Sequence, residues 1–175
     1  MTRVDGPGAS ASGGSTVCST RAVAPAVPPQ KALKWLVKKI LGRPHPIDAV
    51  AKQLQPGDEV VCTSDLYGGT YRLFTKIFAK FGLKFHFIGM ESVARVAEYV
   101  NAKTKLIWVE TPTNPMLKLV DISSVAEVAR EQGALLVVDN TFASPFCQRP
   151  LELGADITCY SLTKSIGGFG TVMGG

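Results

Sequence analysis

An apolar run, Leu135-Leu136-Val137-Val138, leads into an acid, Asp139, and a second run ending at Tyr160 leads into Ser161-Leu162-Thr163-Lys164, just ahead of Gly167 and Gly168. A carboxylate, two hydroxyls and an amine, each delivered where a strand-like run stops, make a set with a definite chemical use. An amine can hold an aldehyde as a Schiff base, a carboxylate can keep a pyridine nitrogen protonated by ion pairing and hydrogen bonding, and hydroxyls can donate to a phosphate. Together these are the requirements of pyridoxal 5'-phosphate (PLP). On this reading Lys164 is the amine, Asp139 the acid, and Ser161 with Thr163 the phosphate donors. Singly, each has a plainer explanation: a solvated lysine after a strand, an acid acting as a cap, hydroxyls closing a turn.

The elements needed to position these residues are visible in the periodicity. After a breaker, Gly42-Arg43-Pro44-His45-Pro46, residues 47–55 read as the tail of a helix and 59–62 as a strand. A turn is expected at Gly68-Gly69, then a helix over 70–81 with Leu73, Ile77 and Phe81 on its common face. Strand 84–88, helix 91–100, strand 106–109, helix 122–132 and strands 135–138 and 157–160 complete the alternation. Strands alternating with helices predict an α/β fold with a largely parallel sheet covered by helices. Ligands of such sheets bind beyond the carboxyl ends of the strands. Glu110 and Asn114 follow one predicted strand, Asp139 and Thr141 another, and Ser161 to Lys164 a third, so three strand ends are expected to converge on one crevice.

Four blocks of sequence carry a more specific signal. They are Pro56-Gly57-Asp58 leading to Asp65-Leu66-Tyr67-Gly68-Gly69-Thr70; Glu110-Thr111-Pro112-Thr113-Asn114-Pro115; Asp139-Asn140-Thr141-Phe142-Ala143-Ser144-Pro145; and Gln148 through Gly168. In order and spacing the stretch from Ile47 to Gly175 resembles the Cys/Met-metabolism family of fold-type I PLP enzymes, which includes cystathionine γ-synthase and the cystathionine lyases. The resemblance implies a fold-type I large domain and transsulfuration chemistry on sulfur amino acids or activated homoserine. It also implies roles. Lys164 matches the Schiff-base lysine and later proton carrier, and Tyr67 the tyrosine that stacks on the cofactor ring and assists proton transfer. Asn114 matches the asparagine near the cofactor's phenolic oxygen and the substrate carboxylate. Asp139 matches the acid at the pyridine nitrogen, Thr141 the threonine near the ring, and Ser161 and Thr163 the phosphate ligands. A small-molecule amino-acid substrate and a homo-oligomer, a tetramer built from dimers, are implied as partners.

The chain also departs from the family pattern. A glycine-containing turn that grips the phosphate through backbone amides is matched here by Gly42-Arg43-Pro44-His45-Pro46, in which the prolines have no amide hydrogen to give. Family members run roughly twice as long, in keeping with several domains. The expected organisation is therefore a leader over 1–30, a basic amphipathic helix and linker over 31–46, and a large domain over 47–175, partial at both ends.

Composition removes several other classes of function. The chain has 175 residues and a formal net charge of +5, but residues 1–44 hold seven basic side chains against one acid, leaving the body near neutrality. A basic leader does not define a nucleic-acid partner. Cysteines 18, 62, 147 and 159 lack metal-ligand spacing and read as reduced thiols of a cytoplasmic-type compartment. His45 and His86 stand apart, giving no zinc site and no Ser-His-Asp triad, and no apolar run reaches the ~20 residues that span a bilayer.

Two alternatives stand beside the enzyme reading. One is a catalytically silent fragment or pseudoenzyme of the same family. The other is a membrane-surface or interaction protein acting through residues 31–41, where Leu33, Leu36, Val37 and Ile40 share a helical face beside several lysines. The acid-poor leader is also compatible with organellar targeting.

Overall fold

The computed structural model describes residues 46–171 and 173–175. The leader, the amphipathic segment 31–41 and the proline-rich breaker up to His45 lie outside the described residues, as does Cys18.

Five strands form one sheet: β1 (Glu59–Thr63), β2 (Lys84–Ile88), β3 (Thr104–Glu110), β4 (Leu135–Asp139) and β5 (Ile157–Cys159). Their order is β2-β1-β3-β4-β5, and every pairing is parallel. The helices are α1 (Pro46–Ala51), α2 (Gly68–Lys76), α3 (Val93–Tyr99), α4 (Ile122–Gln132) and α5 (Ser144–Cys147). A parallel sheet must be covered on both faces, and the side-chain period of two divides the strands accordingly. Ile107, Val109, Leu136 and Val138 pack with Val96 of α3 and Val125, Ala126 and Ala129 of α4. Leu106, Trp108, Val137 and Cys159 point the other way, onto Ile47 and Val50 of α1 and Phe74 of α2. The predicted α/β architecture is the one observed.

Local chemistry sets the helix limits. α4 opens on Asp121, whose carboxylate accepts from Ser124 N at 3.2 Å and Ser124 Oγ at 2.7 Å, and it closes on Gly133 at φ 67°. That combination of acidic N-cap and left-handed C-cap glycine is visible in the sequence and delimits the helix at both ends.

The helix expected over 70–81 is corrected. α2 starts at Gly68, so Gly68-Gly69 opens the helix instead of making a separate turn, and it ends at Lys76, with a short 3-10 turn over Phe78–Phe81. Across residues 68–81 the buried positions include Thr70 and Phe74 of α2 and Phe78 of the 3-10 turn, whereas Phe81 is 65% exposed and Ile77 is also exposed. The aromatic packing decides which face turns inward: Phe74 stacks on Phe85 with centroids 4.7 Å apart and meets Trp108 edge-on at 5.5 Å. The predicted helix tail over 47–55 likewise ends earlier, at Ala51.

Candidate active site

The carboxyl ends of β1, β3, β4 and β5 open onto one side of the molecule. A cavity of about 660 Å³ lies there, within the ~300–1,000 Å³ range of small-molecule sites. All seven residues singled out from the sequence, Tyr67, Asn114, Asp139, Thr141, Ser161, Thr163 and Lys164, line it. The segment after β1 supplies Tyr67, the β3–α4 loop supplies Asn114, the end of β4 supplies Asp139 and Thr141, and the segment after β5 supplies the rest.

Asp139 is the last residue of β4 and stands in register with Glu110 on β3 and Cys159 on β5. Its Oδ1 accepts from Thr141 Oγ1 at 2.6 Å and from Thr141 N at 3.1 Å. The same Thr141 hydroxyl accepts from Ser161 N at 2.9 Å. One threonine therefore both orients the acid and fastens the start of the lysine segment to it. Beyond Ser161 the chain makes one turn of π-type hydrogen bonding over Leu162–Ile166, interrupted at Lys164, whose backbone (φ −93°, ψ −132°) is not helical. Ser161 and Thr163 are half-buried and Lys164 is exposed along the cavity.

Asn114 is presented by a loop in which the Thr111–Pro112 and Asn114–Pro115 peptide bonds are cis. Asp65 pins this loop, its Oδ2 accepting from Thr113 Oγ1 at 2.6 Å and from Met116 N at 3.0 Å. Tyr67, 48% exposed, lays its ring back over Gly69 so closely that a Cβ on Gly69 would collide with Tyr67 Cε1. The glycine thus leaves room for the tyrosine ring.

Two residues important to the site had no assigned role in the sequence. Glu110 lines the cavity with its side chain buried, and burial, the largest influence, pushes its carboxyl up to about 8. The Tyr67 amide pulls the other way, while nearby Asp139 and Asp65 push it further up. Asn140 is fully buried next to Asp139. Its Nδ2 lies 3.1 Å from Ser144 O, 2.8 Å from Gln148 O and 3.0 Å from the Tyr160 hydroxyl, and its Oδ1 accepts from Gln148 Nε2 at 2.7 Å. Gln148 Nε2 also reaches Thr111 O at 3.1 Å. This network joins the ends of β3, β4 and β5. The only available signal was the adjacency of Asn140 to Asp139, since its partners are up to 20 residues from it in the chain.

The Cys159 thiol at the site is unreactive by environment. Cys62 and Cys159 are buried, and burial raises the Cys159 thiol to about 12, with Asp139 adding to the effect. Among the described residues no group of histidine, cysteine and acidic side chains is arranged to hold a metal, and no helix is long and apolar enough to cross a membrane.

The donor set fits PLP. It contains an oriented acid at the end of a central strand, hydroxyls and an amine on the neighbouring strand end, and a ring at the cavity mouth. Comparison with known proteins points the same way. The profile of the Cys/Met metabolism PLP-dependent enzymes matches residues 45–175. A probable cystathionine gamma-synthase of Herpetosiphon aurantiacus is 52% identical over 122 residues, covering 70% of this chain and 38% of that protein. A cystathionine beta-lyase of Coxiella burnetii is 49% identical over 127 residues, covering 72% of this chain and 33% of the other. Among solved structures, metB from Corynebacterium glutamicum superposes with a TM-score of 0.72 at 46% identity, over 73% of this chain and 34% of that one. The cystathionine gamma-lyase of Lactobacillus plantarum, solved with L-serine, also gives 0.72 at 39% identity, over the same shares. The chain spans about a third of the length of the curated relatives it matches. With a profile match over most of its length and a fold that superposes on solved relatives, the chain belongs to the Cys/Met metabolism PLP-dependent enzyme family, whose cofactor is pyridoxal 5'-phosphate.

Proposed function

We propose that this chain forms the cofactor-binding part of a transsulfuration enzyme. Its substrates would be sulfur amino acids or activated homoserine, and its reaction β- or γ-elimination or γ-replacement at a C–S or C–O bond. The observation that carries the reading is the convergence of all seven sequence-derived residues on one cavity at the carboxyl ends of the strands.

When bound, PLP supplies an aldehyde that couples to amines and a protonated ring that draws electrons from the carbon next to the amine. The residues divide the remaining work. Asp139 holds negative charge at the pyridine nitrogen, and Thr141 keeps its Oδ1 in place. Ser161 and Thr163 donate their hydroxyls to the phosphate. Lys164 Nζ would hold the cofactor by its aldehyde, and when free of it would be the amine that accepts the proton from the substrate's α carbon. The Tyr67 hydroxyl assists that transfer at the cavity mouth, and Asn114 Nδ2 donates to the substrate carboxylate. Each assignment rests on the family match together with the position of the residue on the cavity wall.

A homo-oligomer is proposed for the whole protein, and exposed Met116, Leu117, Leu119 and Phe146 offer apolar surface that assembly would cover. A cytoplasmic location is proposed on the free thiols of Cys62, Cys147 and Cys159.

The functional test is turnover. PLP-loaded chain is incubated with cystathionine, cysteine or an O-acylhomoserine, and released thiol and keto acid are measured. Product that forms with wild type and disappears in Lys164→Ala supports the enzyme reading. PLP binding at Lys164 without product from any of these substrates would favour the silent-fragment alternative.

A further inference from the structure

Glu110 brings to the cavity wall a buried carboxyl that the proposed chemistry does not use. The side chain is only 4% exposed, yet its Oε2 accepts from Tyr67 N at 2.9 Å, a contact between residues 43 apart in the chain. Its own backbone N–H donates to Thr63 Oγ1 at 3.2 Å, so its strand end is fixed to β1. Tyr67 is the N-cap residue of α2, and its own side chain makes no capping hydrogen bond. The Glu110 carboxyl therefore accepts from an amide that the helix itself cannot satisfy. On the other side of Tyr67, Gly69 supplies the gap in which the ring rests.

We infer that Glu110 is a positioning residue: by holding the Tyr67 amide at the end of β3 it fixes where the Tyr67 ring stands at the mouth of the cavity. Burial lets it do so as a neutral acid around pH 7, which avoids placing a second negative charge in register with Asp139. The inference deepens the reading of the cavity as a PLP site and rests on that reading for its purpose, while the contact itself stands independently.

The test compares wild type with Glu110→Gln, which keeps an acceptor oxygen, and with Glu110→Ala and Glu110→Met, which do not. Met preserves the volume and carries the test where Ala fails to fold. Amide hydrogen exchange in the ¹⁵N-labelled chain is the first readout. In the Ala and Met variants the Tyr67 amide should exchange at least ~10-fold faster while those of Ile107 and Val137 keep their protection, and Gln should stay within about threefold of wild type. Binding of PLP is the second readout, with about 10-fold weaker affinity expected for Ala and Met and near-wild-type affinity for Gln. Unchanged Tyr67 exchange in both Ala and Met overturns the inference, as does a uniform loss of protection across the sheet. So does undiminished PLP affinity in both variants. If the exchange pattern is as expected but wild type does not bind PLP, the cofactor reading fails and the contact with Tyr67 is upheld.

Discussion

Asp139→Ala is expected to weaken PLP binding by on the order of 100-fold. Truncating one partner of a desolvated, hydrogen-bonded charge pair costs about 2–5 kcal/mol, and every 1.4 kcal/mol is a factor of ten. Asp139 is placed for such a pair, half-buried at the end of a central strand with one carboxylate oxygen held by Thr141. Asp139→Asn separates charge from shape. It keeps an acceptor for the Thr141 hydroxyl and removes the negative charge, so an intermediate loss is expected. Fluorescence titration with PLP measures all three proteins, and an affinity in Asp139→Ala within threefold of wild type would remove Asp139 from the cofactor site.

Asn140→Leu is expected to destabilise the fold by about 4 kcal/mol. Each buried polar group left without a partner costs about 1–3 kcal/mol, and this change withdraws a partner from the Gln148 carbonyl and the Tyr160 hydroxyl and one of two from the Gln148 side chain and the Ser144 carbonyl. Leucine preserves most of the volume, so the effect reports lost hydrogen bonds more than a cavity. Urea denaturation with the slope compared between variants measures it, and a loss under 1 kcal/mol would show that the network contributes little. Because the network links the residues that follow β3, β4 and β5, PLP affinity should fall alongside stability.

The two predictions sit on opposite sides of what the sequence reveals. Asp139 was readable because a run of β-branched and aliphatic residues must be a buried strand, and an acid at its carboxyl end has few structural reasons to be there. Lys164, Ser161 and Thr163 were readable for the same reason, as were the positions of Asn114 and Thr141, and the order of the four sequence blocks added Tyr67 and the expected roles of Asn114 and Thr141. The sheet followed from alternation, although its order places β2 outside β1 and only pairing reveals that.

Other features depend on contacts between distant segments. Leu73, Ile77 and Phe81 repeat every four residues, and so do Thr70, Phe74 and Phe78; periodicity admits both faces, and only Phe85 and Trp108 select the second. Glu110 is expected at a strand end beside the crevice, but its bond to the Tyr67 amide appears only when Tyr67 folds onto it. Asn140 is an ordinary polar residue beside a conspicuous acid until Gln148 and Tyr160 close around it. In each case the sequence contains the residue but not its partner.

The most direct test of the central claim, that this cavity recruits PLP through Lys164, is an absorbance titration of the purified chain with PLP, followed by borohydride reduction and peptide mapping by mass spectrometry. The account predicts saturable binding at one equivalent and a stable modification on Lys164 that Lys164→Ala abolishes. Modification scattered over other lysines, or saturable binding that persists unchanged in Lys164→Ala, would contradict it.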